Sequence, residues 1–240
     1  MEKEKDKTKQ LMVELLEKLV RQKKLTISFI VRTLGVSYPK GQGLFSTLVE
    51  AGCITQEGVI DFKQVSLYYY RLTKKHYPVT FVKAIFLDVD GVLNCHSTKA
   101  MIGPYKGIDH SKVTLLKQLV EETDAQIVLI STWKEFWYKS TKLKDEQDVM
   151  ANYLDKKLAI QNVYISAKTT EDDPFQRGKG IVDYINRLKQ KNIFIDKFVI
   201  LDDCLFDYKE TRLTKHLVQT SYNGEGLTQK HIKKAKELLC

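Results

Sequence analysis

Residues 81–94 read FVKAIFLDVDGVLN, a mainly apolar run that ends in two aspartates and a glycine. Such a run predicts a strand that is buried on both faces, as in the middle of a parallel sheet. Asp88 and Asp90 come directly after this strand. Because ligands of open parallel sheets bind beyond the carboxyl ends of the strands, the stretch predicts both a fold class and the position of a site.

The downstream sequence repeats the pattern of an apolar strand followed by a helix. This pattern predicts helices at 110–121, 133–140, 145–158 and 178–191, and further strands at 125–132, 163–166 and 197–203. Strands that alternate with helices predict an α/β fold with a doubly wound, Rossmann-like parallel sheet.

Two of the further strands also end in polar residues. Ser131 and Thr132 follow the segment IVLI. Asp202 and Asp203 follow FVIL, and Asp207 lies nearby. A helix cap would explain one such residue. Acidic and hydroxyl pairs at three strand ends instead indicate a cation site, because converging carboxylates repel one another unless a cation lies between them.

A phosphate group bound at this edge would need positive charge as well as a metal ion. Magnesium prefers carboxylate oxygens and also accepts phosphate oxygens. Arg177 stands at the start of the helix that follows the strand at 163–166, and Lys179 is two residues further on. Either side chain could hold the phosphate, and the sequence leaves the choice open.

These motifs together resemble the haloacid-dehalogenase-like (HAD) phosphohydrolase superfamily over residues 81–230. DVDGVLN at 88–94 matches its DxDG signature, and LIST, RGKGI and ILDDCLFD match its three later motifs. Arginine stands where the third motif usually has lysine. LISTW, RGKGI, LDD and the late EGLT at 225–228 also resemble the branch of the superfamily that is attached to nucleic-acid repair assemblies.

The resemblance implies a magnesium-dependent phosphatase with Asp88 as nucleophile and Asp90 as general acid and base. A second aspartate at this spacing is typical of the phosphatases of the superfamily. The implied metal ligands are carboxylates at the strand ends, with Asp203 favoured in the last motif: Asp88, Asp90 (through its backbone carbonyl), Asp203, Asp202 and Asp207. The implied phosphate-binding residues are the hydroxyl and basic residues of the middle motifs: Ser131, Thr132, Arg177 and Lys179.

The gaps between the motifs are too short for the cap domain that related enzymes often insert. There are 36 residues between Asp90 and Ile127, and 44 between Thr132 and Arg177. An uncapped site is open, which suits a large or end-presented substrate. Residues 95–109 are expected to form a flexible flap over this site.

The N-terminal part has a different pattern, that of three helices followed by short extended segments. Apolar spacing and capping residues predict helices at 8–23, 27–34 and 39–51, and extended pieces at 53–55 and 59–62. This order predicts a winged helix-turn-helix domain at 1–62, a connector at 63–80 and the α/β domain at 81–240. Residues 1–80 hold 14 lysines and arginines against 8 aspartates and glutamates, which favours an anionic partner.

The stretch KLTISFIVRTLGVSYPKGQGLFSTLVEAGCI at 24–54 is similar to the DNA-reading gamma domain of FtsK-type DNA translocases. The resemblance implies phosphate contacts by Arg32 and by Lys40, which opens the second helix of the helix-turn-helix unit. Gly43 replaces the second arginine that this helix usually carries in that family. DNA, RNA and protein all remain open as partners of this domain.

The composition excludes a membrane-spanning protein and a disulfide scaffold. No stretch approaches the roughly 20 apolar residues that a bilayer requires. The first ten residues are charged, which is not typical of a secretory signal. The four cysteines are far apart and include no CxxC pair, so we expect reduced thiols in a cytoplasmic protein.

The sequence thus favours a phosphatase that the winged helix guides to phosphorylated nucleic-acid ends or nucleotides. One alternative is a small-metabolite phosphatase in which the winged helix mediates assembly. Another is a DNA-binding regulator with a non-catalytic HAD-like domain. The oligomeric state is not predicted.

Overall fold

A computed structural model describes residues 2–20, 22, 24–135, 137–138 and 149–240. The chain divides into two compact units. The first comprises Met1–Thr80 with Gln190–Ile193, and the second comprises Phe81–Lys189 with Phe194–Cys240.

The first unit is helical. Its helices are α1 (Glu2–Leu19), α2 (Ile27–Leu34), α3 (Tyr38–Glu50) and α4 (Phe62–Thr73). Thr26 caps α2, since its hydroxyl accepts a hydrogen bond from the backbone N–H of Phe29 at 3.1 Å. Two isolated antiparallel bridges, Lys24–Val59 and Ile54–Ile60, follow the order of a winged helix. The winged-helix interpretation itself stays a prediction.

The segment 63–80, predicted as a connector, belongs to the first compact unit. Most of it forms α4, which begins at the capping residue Asp61. Tyr69 and Tyr77 of this segment are buried in the hydrophobic cluster of the first unit. The hydroxyl of Tyr77 donates to the carbonyl oxygen of Leu16 at 2.6 Å. Val65, Tyr69 and Tyr77 therefore bury one face of the segment in the first unit, while Tyr70 stays exposed.

The second unit contains a sheet of five strands in the order β5–β4–β1–β6–β7. The strands are β1 (Thr80–Leu87), β4 (Ala125–Leu129), β5 (Ile165–Lys168), β6 (Ile193–Asp202) and β7 (Leu217–Gln219). The pairs β1–β4, β4–β5 and β6–β7 are parallel. A two-stranded antiparallel hairpin, β2 (Met101–Ile102) and β3 (Tyr105–Lys106), lies apart from this sheet. The predicted α/β fold with a parallel sheet is confirmed.

Helices flank the sheet: α5 (His110–Thr123), α6 (Val149–Ala159), α7 (Arg177–Gln190) and α8 (Gln229–Leu239). The side chains of β1 alternate between two hydrophobic clusters. Ile85 and Leu87 belong to the cluster that includes α5, α6 and α8 residues. Ala84 and Phe86 belong to the cluster that includes Ile181 of α7. Burial on both faces explains why the second half of β1, from Ala84 to Leu87, is entirely apolar.

Several boundaries differ from the prediction. β4 ends at Leu129, and β5 begins two residues later than expected. β7, α8 and the β2–β3 hairpin were not predicted, because strands of two or three residues carry no detectable alternation and α8 is dominated by lysines. The helix expected at 133–140 begins as a 3₁₀ turn at Thr132–Lys134, and residues 136, 139 and 140 lie outside the described residues. The helix expected at 145–158 is seen from Val149, since 145–148 are also outside them.

None of the helices in the described parts of the chain has the length and apolar character that a bilayer crossing needs.

Candidate active site

The carboxyl ends of the strands are aligned by backbone hydrogen bonds that continue past the sheet. The N–H of Asp88 donates to Leu201 of β6 at 2.9 Å. The N–H of Ile130 donates to Leu87 of β1 at 2.9 Å, which extends the pairing of β1 with β4 to the residue before Ser131. The register of the sheet therefore brings the ends of β1, β4 and β6 together, as the sequence analysis expected.

Arg177, the first residue of α7, joins two of these strand ends. Its Nη1 atom lies 3.0 Å from Oδ1 of Asp88 and 2.7 Å from Oδ2 of Asp202. Its guanidinium also packs on the ring of Phe206, 4.2 Å from the centroid. All three charged residues are buried. One cation thus compensates two carboxylates that would otherwise repel each other.

Burial and mutual charge shift the pKa values of Asp88, Asp202 and Arg177. Burial, with the nearby charge of Asp202, raises the pKa of Asp88 to about 7 although Arg177 opposes the shift. Burial also raises the pKa of Asp202. For Arg177, burial favours the neutral form, but Asp88 and Asp202 outweigh it and raise the pKa above its ordinary value. Arg177 thus offsets part of the cost of ionising two carboxyl groups that burial would otherwise keep protonated.

Asp202 is fully engaged by donors. Its Oδ1 accepts from the N–H of Cys204 at 2.9 Å, and its Oδ2 accepts from the hydroxyl of Tyr208 at 2.7 Å as well as from Arg177. The adjacent Asp203 instead turns toward the first motif. A Cβ added to Gly91 would lie 2.5 Å from the Cγ atom of Asp203. Asp203 is therefore the member of the pair that faces the DxDG loop.

Side chains that could bind a cation lie close together at this edge of the sheet. Ligand atoms of Asp202, Asp203 and Cys204 lie within 4.8 Å of one another. Oδ1 of Asp88 is buried and accepts no hydrogen bond from the described residues, although Arg177 is near it. Carboxylate oxygens with free lone pairs suit a hard divalent cation, whereas a thiol does not.

Asp207 does not join this group. Its two carboxylate oxygens accept the backbone N–H groups of Gly178 at 2.6 Å and of Lys179 at 2.9 Å. It therefore caps the N-terminus of α7, where an anion is favoured by the helix dipole. We therefore leave Asp207 out of the proposed metal ligands. The Lys179 side chain is exposed, so Arg177 is the basic residue that reaches the buried carboxylates.

Both carboxylate oxygens of Asp90 are held by neutral N–H donors. Nδ2 of Asn94 donates to Oδ1 at 2.8 Å, and Nε1 of Trp133 donates to Oδ2 at 2.9 Å. The carbonyl oxygen of Gly91 accepts from the Thr220 hydroxyl at 2.7 Å. These contacts fix the direction of the Asp90 carboxyl group relative to Asp88.

The loop after β4 positions Trp133. Ser131 is fully buried, and its hydroxyl accepts from the N–H of Trp133 at 3.4 Å at the start of the 3₁₀ turn. Thr132 is exposed. Trp133 is buried in the core of the second unit, and its indole N–H also contacts Asp90.

Lys134 is a buried cation that the sequence analysis did not single out. Its Nζ atom donates to the Thr169 hydroxyl at 3.1 Å and pairs with Glu171. Burial lowers the pKa of Lys134, and Arg177 contributes in the same direction. This ion pair joins the loop after β4 to the loop after β5. Lys134 and Trp133 could have been found in the sequence from their position, since both closely follow the polar strand end at Ser131.

A cavity of about 380 Å³ opens beside Asp90. The residues that line it come from the β2–β3 hairpin and from four other segments: Asp90, Met101, Pro104, Tyr105, Lys106, Trp133, Met150 and Tyr222. We call it the Asp90 cavity. The hairpin occupies the middle of the predicted flap at 95–109, where it forms one wall of the opening.

The two basic residues predicted to contact nucleic acid lie in the first unit. Arg32 is exposed on α2, and its Nε atom donates to the carbonyl oxygen of Ser28 at 3.3 Å. Lys40 is half-buried at the start of α3, and its Nζ atom donates to the Thr8 hydroxyl at 2.8 Å. Their contact with nucleic acid stays a prediction.

Comparison with known families matches residues 84–232 to a family described as the HAD domain in Swiss Army Knife RNA repair proteins. The match covers more than half of the chain and contains all four motifs. The chain belongs to this family. The HAD resemblance inferred from DVDGVLN and the later motifs is thereby confirmed. No match was found among curated proteins.

The HAD domain of this family begins after the first unit and ends inside α8. The family match therefore concerns the domain that holds Asp88, Asp90, Arg177 and Asp203. The resemblance of the first unit to FtsK gamma domains is not part of it and stays a prediction.

Proposed function

We propose that the HAD domain is a magnesium-dependent phosphatase that removes phosphate from nucleic-acid ends through an aspartyl-phosphate. The observation that supports it best is the pairing of two differently placed aspartates. Asp88 is buried against Arg177, whereas Asp90, two residues later, is held by Trp133 and Asn94 at an open cavity. This is the separation that a nucleophile and a proton-transferring group require.

The first chemical step would be carried by these two aspartates. A carboxylate oxygen of Asp88 attacks phosphorus, and the bond between phosphorus and the ester oxygen breaks. The proton of the Asp90 carboxyl group passes to the departing oxygen, so the leaving group departs as an alcohol. Trp133 and Asn94 keep Asp90 directed during this transfer.

The second step would reverse the role of Asp90. As a carboxylate it takes a proton from a water molecule, whose oxygen attacks phosphorus while the bond to Asp88 breaks. Inorganic phosphate leaves, and both aspartates return to their starting states. Arg177 stays beside Asp88 throughout, where its charge is close to the phosphate oxygens that carry the charge of the transition state.

The residues at the strand ends fit a magnesium ion. Asp88 has a buried oxygen without a hydrogen bond from the described residues, and Asp203 is less engaged than Asp202. We assign Asp88, Asp203 and the backbone carbonyl of Asp90 as its ligands, while Asp202 holds Arg177. When bound, the metal ion neutralises charge on the phosphate oxygens.

The family name supports nucleic acid as the substrate class, since it refers to RNA repair proteins. In the described ranges the segment between Asp90 and β4 contains only the small hairpin and α5 as regular elements. A site without a large cover at that position suits the end of a polymer.

The proposal can be tested with purified protein, magnesium and oligonucleotides that carry a 3′- or 5′-phosphate, in RNA and DNA form, beside glycerol phosphate. We expect phosphate release that requires magnesium and favours oligonucleotides. Asp88→Asn should abolish it, and the exposed Asp172→Asn is the matched control. Acid-quenched wild-type protein should carry a hydroxylamine-labile phosphate.

Two results separate the parts of the proposal. Activity that survives Asp88→Asn would contradict the nucleophile. Equal activity toward glycerol phosphate and oligonucleotides would contradict the substrate class and favour a small-metabolite phosphatase instead.

A further inference from the structure

The Asp90 cavity lies on one side of the reaction centre. Asp90 lines it, whereas Asp88 and Arg177 do not. In the proposed mechanism Asp90 faces the oxygen that leaves, so the cavity is on the leaving-group side. This inference rests on the proposed function and extends it to the part of the substrate that departs.

The chemistry of the walls is aromatic and apolar. Tyr105 is 63% exposed and Met101 is 52% exposed, although both are large side chains. Tyr222 and Trp133 add two further aromatic rings, and Met150 adds a second thioether. Exposed aromatic rings beside a polar floor suit a flat ring that stacks, whereas a glycerol moiety has no ring face to lie against them.

The size and charge of the cavity agree with this type of ligand. Its volume of about 380 Å³ lies in the range of about 300 to 1,000 Å³ that is common for small-molecule sites. Lys106 is the one cation among its described lining residues, and Asp90 is the one acid. The Nζ atom of Lys106 donates to the carbonyl oxygen of Thr98 at 2.8 Å, which holds this positive charge at the base of the hairpin.

The aromatic wall is tied to the catalytic loop. Nδ2 of Asn94, which holds Asp90, also lies 3.3 Å from the carbonyl oxygen of Lys106. The N–H of Gly107 donates to Ala100 at 2.8 Å and closes the hairpin. The N–H of His96 donates to Tyr222 at 2.8 Å, which links the second aromatic wall to the same segment. A ring bound between these walls would therefore have a defined position relative to Asp90.

We propose that the Asp90 cavity binds the nucleoside that carries the scissile phosphate, with Tyr105 and Tyr222 stacking on its base. Tyr105 lies in the turn region of the hairpin and has the larger exposed face. The cavity thus distinguishes the terminal nucleotide of a phosphorylated end from phosphate esters that have no base.

The experiment compares two oligonucleotides that differ only at the phosphorylated terminal residue. One carries a normal base there, and the other carries an abasic analogue. The measured quantity is the ratio of kcat/KM for the base-bearing end to kcat/KM for the abasic end. We expect a ratio of about 5 to 150 for the wild type, the range that stacking of one base supplies.

Tyr105→Ala should lower this ratio toward one, mainly through KM, and Tyr105→Phe should keep it because the ring remains. Tyr164→Ala is the matched control, since Tyr164 is 65% exposed but does not line the cavity. Its ratio should equal that of the wild type.

The inference is overturned if the wild-type ratio is close to one, or if Tyr105→Ala leaves it unchanged. A failure of the proposed function would look different, because neither oligonucleotide would then release phosphate. If Tyr105→Phe lowers the ratio as much as Tyr105→Ala does, stacking is also overturned. The phenol hydroxyl would then be the group that recognises the base.

Discussion

The indole Nε1 of Trp133 donates a hydrogen bond to Oδ2 of Asp90 at 2.9 Å, across 43 positions of sequence. Ser131 starts the turn that carries Trp133, and Asn94 holds the other oxygen of Asp90. The LIST and DVDGVLN motifs therefore meet at the carboxyl group of Asp90, to which we assign proton transfer.

Trp133→Phe removes this donor and keeps most of the ring. We expect about a 10-fold loss of kcat on alkyl phosphates such as glycerol phosphate, a part of the 10²- to 10⁴-fold that a general acid supplies. The loss on p-nitrophenyl phosphate should be smaller, because its leaving group needs little protonation. Trp137→Phe is the control, since Trp137 donates to Asp155 at 2.8 Å away from Asp90. Equal losses on both esters would show that Trp133 acts only through stability.

Arg177→Met should destabilise the fold, because two buried carboxylates lose the cation between them. Breaking a buried pair in this way costs about 3 to 5 kcal/mol. Arg187→Met in the same helix removes an exposed arginine and should change the free energy of unfolding by about 0.5 kcal/mol or less. Urea denaturation without added metal measures both values. A small effect of Arg177→Met would mean that the carboxylates are compensated by other groups.

Gly91→Ala tests the contact between the first and the fourth motif. Gly91 has a φ of +74°, and an added Cβ would lie 2.5 Å from the Asp203 carboxyl group. Left-handed backbone alone costs an L-residue about 1 to 2 kcal/mol. Gly52→Ala is the control, because it introduces the same backbone strain at a φ of +69° but has no atom within 4 Å of the added Cβ. We therefore expect both variants to lose stability in thermal unfolding, but only Gly91→Ala to lose phosphatase activity.

Asp207→Ala should lower stability without changing the requirement for magnesium. The variant removes the cap of α7, and lost caps cost about 0.5 to 2 kcal/mol. Asp203→Asn should have the opposite profile, with a higher magnesium concentration needed for half-maximal activity. Activity titrated with magnesium, beside thermal unfolding, distinguishes the two aspartates. A shifted magnesium requirement in Asp207→Ala would return Asp207 to the metal ligands.

Two histidines should make the fold less stable in mild acid. Burial lowers the pKa of His216, which stacks on Phe198 and lies beside Lys215. Burial also lowers the pKa of His231, which is near Lys230, Lys234 and Glu225. Below the ordinary histidine pKa of 6.5 the unfolded chain binds protons at these two positions that the folded chain does not bind. The contribution of the two histidines to stability is therefore complete above pH 6.5 and declines as the pH falls below it. The double variant His216→Gln, His231→Gln should show a flatter pH dependence of urea unfolding between pH 7 and pH 5.5. An unchanged slope would contradict the assignment.

Features that depend on neighbours in sequence could be predicted before the structure was known. The apolar run of β1, the spacing of Asp88 and Asp90, and the cap of α2 by Thr26 are local, because strand burial, a two-residue offset and an N-cap need only a short stretch of chain. The family membership rests on the same local motifs, which is why it was reached from the sequence.

The partners of each charged group were decided only by the tertiary structure. Asp207 was expected at the metal and instead caps α7, because the register of β6 against the sheet brings its loop to that helix end. Arg177 rather than Lys179 reaches the buried carboxylates because of the direction in which the first turn of α7 points its side chains. The contact of Trp133 with Asp90 follows from the pairing of β1 with β4. Motifs thus determined which residues reach the carboxyl edge of the sheet, whereas packing between distant segments determined what each residue does there.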